Sequence, residues 1–96
     1  MSRGRIGTLR MVLEELINSE DPEALLKLGA PKNEYSQEVK LMAGALKGKR
    51  LNANLIARTA ADVFNAQFAP IIVRKPKSFI QMARKAEAVL GDTVYV

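Results

Sequence analysis

Apolar residues recur at intervals of three and four along most of this 96-residue chain, and that period commits it to helices. Ile6, Leu9, Val12, Leu13, Leu16 and Ile17 form one stripe of a first helix over about residues 5 to 18. Leu55, Ile56, Thr59, Ala60, Val63, Phe64 and Phe68 form another, which Asn52 or Asn54 caps and Pro70 stops. Between them, Val39, Met42, Ala43 and Leu46 predict a helix that Ser36 caps and Gly48 ends, with Glu38 in its first turn. Near the C-terminus, Phe79, Ile80, Met82, Ala83, Ala86, Val89 and Leu90 predict one more, opened by Ser78 or Pro76 and closed by Gly91.

The expectation is one domain over residues 1–96, an irregular all-α bundle of four or five short helices with most of its core on the two long stripes. The segment APIIVRKPK reads as an extended connector and the tail DTVYV as a strand. Ile71–Val73 and the tail could pair as a minor parallel two-strand ribbon at the C-terminus. The N-terminal MSRGRIGTLR, with Arg3, Arg5 and Arg10, reads as a flexible basic arm or a frayed terminus.

Asp21-Pro22 is a start signal for a short helix to about Leu28, closed by Gly29, since aspartate caps exposed amides and proline suits the first helical position. Asp21, Pro22, Gly29, Pro31, Glu34 and Tyr35 then make up a fixed turn motif. This run, DPEALLKLGAPKNEYSQEV, resembles a family of small helical bacterial proteins without an assigned function. Its pattern is Asp-Pro-x-Gly-Leu, then Gly-Ala-Pro-x-Asp-Glu-Tyr, then an acidic helix start. The likeness covers about residues 10 to 68 and departs at Ala24 for glycine, Asn33 for aspartate and Ser36-Gln37 for Asp-Pro. It implies a compact helical domain and no particular activity.

Asp21, Glu23, Glu34, Tyr35 and Glu38 gather acids around one loop, and a divalent-cation site is one way to use them. The spacing is not that of an EF-hand, and Lys32 and Lys40 flank the group, so helix capping with the Tyr35 ring on the core is the better reading. The chain has no cysteine and no histidine. Without the usual acid-base group and the commonest metal ligand, we expect no enzyme, no metal and no cofactor. The longest apolar run is about three residues, against about 20 needed to cross a bilayer, so no membrane span is expected. No signal-peptide pattern is read, and a cytoplasmic location is the default.

Charge is one-sided. Residues 1–48 carry seven Lys/Arg and seven Asp/Glu, whereas residues 49–96 carry eight and three, so the net +5 belongs to the second half. Lys49, Arg50, Arg74, Lys75, Lys77, Arg84 and Lys85 are the candidate partner-binding face there, with Arg58 as the remaining cation. Such a face is solvated surface, a site for an acidic protein partner, or a site for nucleic acid. With five aromatics, three of them on helix stripes, base stacking has few providers. The leading expectation is therefore a small non-catalytic interaction module of the inhibitor, adaptor or immunity-like kind, and the alternative is a nucleic-acid-binding accessory protein. Gly44 between Ala43 and Ala45 suits close helix packing in the core or a homodimer contact.

Overall fold

The long stripe at the N-terminus folds as α1 (Ile6–Glu20), which buries Leu9, Leu13 and Ile17 at a spacing of four. In the computed structural model, which describes residues 2–68 and 73–96, three further helices follow: α2 (Ser36–Leu46), α3 (Ala53–Gln67) and α4 (Ile80–Leu90). A single 3-10 turn, Pro76–Phe79, leads into α4 with proline at its start. The helices α1 and α2 pack together, α3 packs on α2 and α4, and α4 returns against α1. The core is shared more evenly than the stripes suggest, because Val39, Met42, Ala43 and Leu46 of α2 and Met82, Ala83, Ala86 and Leu90 of α4 are also buried.

Phe64 sits at the centre. Its ring lies 5.8 Å from that of Tyr35, 5.5 Å from Phe68 and 5.4 Å from Phe79, so one residue of α3 ties the 21–35 loop and the 3-10 turn to the bundle. Such ring pairs add about 0.5–1.5 kcal/mol each beyond the area they bury. Asn52 is the cap of α3, its side chain accepting from the Leu55 amide at 2.8 Å. Ser36 does not cap α2. The turn through Asn33 winds directly into the helix, Tyr35 occupies the cap position without a side-chain bond, and Ser36 is the first helical residue.

The short helix expected after Asp21 does not form; residues 22–29 are a run of turns. Asp21 has φ 47° and ends α1, donating its amide to Ile17, and Ala24 has φ 55°, which no α-helix accommodates. Ala24 is also the position at which the resembled pattern carries glycine. An alanine held in the left-handed region is strained by about 1–2 kcal/mol, so Ala24→Gly is expected to raise stability by about 1 kcal/mol after the entropy of the unfolded glycine is subtracted. A denaturation midpoint that fell in this variant would show that the turn is not strained there.

The N-terminus is neither a free arm nor frayed. Ser2–Gly4 is a strand, β1, paired in parallel with β2 (Thr93–Tyr95), with Ser2 opposite Thr93 and Gly4 opposite Tyr95. The tail is therefore a strand as expected, but its partner comes from the opposite end of the chain; Ile71 and Ile72 of the expected pairing, and Pro70, lie outside the described residues. Gly4 has a packing reason, since a Cβ there would overlap the Tyr95 ring. Gly44 has none of that kind: it is exposed on α2 with nothing near its missing side chain, while its neighbour Ala43 is buried. Among the described residues, no helix is long and apolar enough to cross a membrane.

Candidate functional site

The turn motif and the basic connector meet in one polar network. Asp21 accepts at its carboxylate from the Leu26 and Lys27 amides, at 3.1 and 2.9 Å, and from the Tyr35 hydroxyl at 2.6 Å. That hydroxyl in turn accepts from the amides of Glu23 and Leu25. Burial opposes ionisation of Asp21, but the hydroxyl and the amides donate to it and together hold its pKa below the ordinary carboxylate value. Burial and the Asp21 carboxylate push the Tyr35 hydroxyl up to about 12, partly offset by the two amides. Nearby, burial raises the pKa of Glu38, and the charge of Glu34 adds to the effect.

Glu23 faces away from this knot and pairs with Arg74, which donates from Nε at 2.7 Å and from Nη2 to the second carboxylate oxygen. The two side chains are only 16% and 17% exposed. Asn65 of α3 fixes the Arg74 backbone from both sides, donating to its carbonyl at 2.9 Å and accepting from its amide at 2.8 Å, and the guanidinium lies 5.6 Å from the Phe68 ring centre. Arg74 thus belongs to the structural network that joins the two loops. It is not part of an exposed basic face.

A cleft of about 550 Å³ opens over this ion pair, lined by Glu20, Asp21, Pro22, Glu23, Ala24, Arg74, Ser78 and Phe79. Its size would admit a small molecule. Its chemistry is spent internally, because Asp21 is held by Tyr35 and the loop amides, and Glu23 and Arg74 hold each other. Among the described residues, no three acidic groups are gathered so as to hold a metal ion. The fixed turn motif is therefore a structural device here, with Pro22 in the cleft wall and Gly29 in the left-handed region at φ 99°. Pro31 and Glu34 are exposed.

The remaining basic residues are exposed, and several share one seam. Asn54, Ala57 and Arg58 of α3 face Pro76, Lys77 and Ile80 across a groove of about 430 Å³. Further along α4, Glu87, Gly91 and Asp92 face Arg50, Leu51 and Asn52 across a second recess of about 390 Å³. Ile80, Glu87 and Gly91 lie on one stripe of α4, and Arg84, four residues beyond Ile80 and three before Glu87, lies on that stripe between the two recesses. Lys77, Arg58, Arg84 and Arg50 therefore follow the junction of α3 and α4. Arg50 approaches Asp92 at 3.9 Å, but both are exposed and such a contact contributes little. Lys75 lies just before the 3-10 turn, Lys85 is turned about 100° from Arg84, and Lys49 precedes Arg50 in the loop.

The groove cation outside the sequence-derived face is Arg58. The signal for it is the pair Asn54 and Arg58, four apart on the polar side of the α3 stripe, which points both to one edge of the helix. No family model matches this chain, and no curated protein or solved structure matches it either.

Proposed function

We propose that this protein is a small non-catalytic binding module that takes an acidic segment of a partner protein along the seam between α3 and α4, in a cytoplasmic setting. The observation that carries this reading is the groove with an apolar floor of Ala57, Pro76 and Ile80 between cations from opposite walls, Arg58 and Lys77. Apolar floor and charged rim are the composition of a protein interface, in which buried contacts supply affinity and rim charges supply orientation and rate. The apolar lining of the groove favours a protein over a phosphate backbone at this seam, and the aromatic residues offer no stacking site for single-stranded bases. Tyr35, Phe64, Phe79 and Tyr95 are buried and Phe68 is stacked on Phe64, which leaves no ring to receive a base there.

The test is capture from a cell extract on immobilised protein at about 0.15 M salt, where the Debye length is about 8 Å, with wild type compared against Arg58→Glu/Lys77→Glu. We expect a defined partner on the wild type, its loss from the reversed variant, and binding of a synthetic peptide carrying that partner's acidic stretch. Equal capture by both proteins, or a partner whose binding maps to a basic or uncharged stretch, would remove the seam from consideration.

A further inference from the structure

The ribbon gathers a second set of cations that the division of charge by sequence halves conceals. The Ser2 hydroxyl lies 2.9 Å from that of Thr93, and Gly4 lies against the buried Tyr95 ring, so this side of β1 faces β2 and the core. Alternation along a strand then puts Arg3, opposite Val94, on the solvent side. On the other edge of β2, the Gly48 amide donates to the Tyr95 carbonyl at 2.8 Å, which brings the turn after α2 against the strand at that point. β2 is thus flanked in one layer by β1 on one edge and by the Gly48 backbone on the other, about 10 Å apart at the usual strand spacing.

Arg3 in β1, Arg5 just after it, and Lys47, Lys49 and Arg50 in the turn around Gly48 all lie at this ribbon end, and all are exposed. Three of the five come from the half of the sequence that is neutral overall. The opposing charge is slight: Asp92 approaches Arg50, and α1, which begins beside the ribbon, has no acidic residue in its first turn. The layer presents neither an exposed ring nor the apolar floor of the α3–α4 groove, so it has little to offer a base or a protein hot spot. Point charges spread over about 10 Å match closely spaced phosphates instead.

We propose that this ribbon end is a docking surface for the sugar-phosphate backbone of duplex DNA, without sequence readout. A duplex concentrates phosphates on both strands within that span, and binding through them needs no stacking ring. The surface meets the far end of the α3–α4 seam at Arg50 but shares no residue with the groove between Arg58 and Lys77, so the protein carries a phosphate-binding face and a separate protein-binding groove.

The experiment is fluorescence anisotropy with a labelled DNA duplex of about 20 base pairs, titrated over a salt series starting near 20 mM. For four or five phosphate contacts, log K is expected to fall with log salt at a slope of about −4. Arg3→Gln/Lys47→Gln/Lys49→Gln, which leaves the fold's internal contacts in place, should reduce that slope by about three with an unchanged circular dichroism spectrum. Arg58→Gln/Lys77→Gln should leave it as it is. No binding at the lowest salt, a slope unaltered by the triple substitution, a slope lowered by the groove variant instead, or a single strand of the same length bound as tightly would each overturn the proposal.

Discussion

Replacing Arg74 with methionine is expected to destabilise the protein by about 3 kcal/mol, the lower end of the range for breaking a buried ion pair from one side. The cause is Glu23, which is 17% exposed and would keep its charge with no guanidinium opposite. The cleft above the pair admits some water to the abandoned carboxylate, and that places the expectation at the low end. For a domain of this size the melting temperature should fall by roughly 15 °C. Adding Glu23→Gln should restore much of the loss, since an uncharged amide beside methionine leaves no buried charge, and a double-mutant cycle measures the coupling directly. The same substitution at Arg84 or Lys85 should change stability by less than about 0.5 kcal/mol, as exposed positions do. Equal small effects at all three positions would mean that Arg74 is a surface cation after all.

The contrast between Arg74 and its neighbours marks where the sequence was legible. Helical period placed the four helices within a few residues, because Leu9, Leu13 and Ile17, or Met82, Ala83 and Ala86, need only their own spacing to identify a buried face. An asparagine cap for α3 was legible for the same reason, and of Asn52 and Asn54 the structure uses Asn52, whose partner Leu55 is three residues away. Arg74 and Glu23 are 51 residues apart, and nothing local in RKPK separates the arginine that turns inward from the lysines that stay exposed. The partner of the C-terminal strand was hidden in the same way: Ser2–Gly4 has no strand period, and its pairing depends on where α1 and α4 deliver the two ends of the chain. Asp21 shows a second kind of failure. The helix it is expected to cap does not form; its carboxylate does accept backbone amides, but those of Leu26 and Lys27, because its left-handed backbone turns the following residues into a loop that folds back over it.

Tyr35→Phe is expected to destabilise the protein by about 2 kcal/mol near neutral pH, and the loss should fade towards both extremes of pH. The magnitude follows from a buried hydroxyl whose removal leaves the Glu23 and Leu25 amides without their acceptor and Asp21 without its shortest donor. The pH dependence follows from linkage. Asp21 has a folded-state pKa below its unfolded value of 3.8, so its contribution is present above that value and is lost as pH falls through it towards the folded pKa. Removing the hydroxyl takes away the largest of the bonds that depress the pKa, so the variant should lose less stability than the wild type on acidification. Tyr35 itself has a folded-state pKa raised from 10.0 to about 12, so its contribution is present below 10 and is lost as pH rises towards 12. Phenylalanine cannot titrate, and the two proteins should converge there as well. Denaturant midpoints measured from acid to alkali therefore predict a plateau of difference between wild type and variant that narrows on each side. A difference that stayed constant into acid would detach the hydroxyl from Asp21 and leave Tyr35 as a core ring alone.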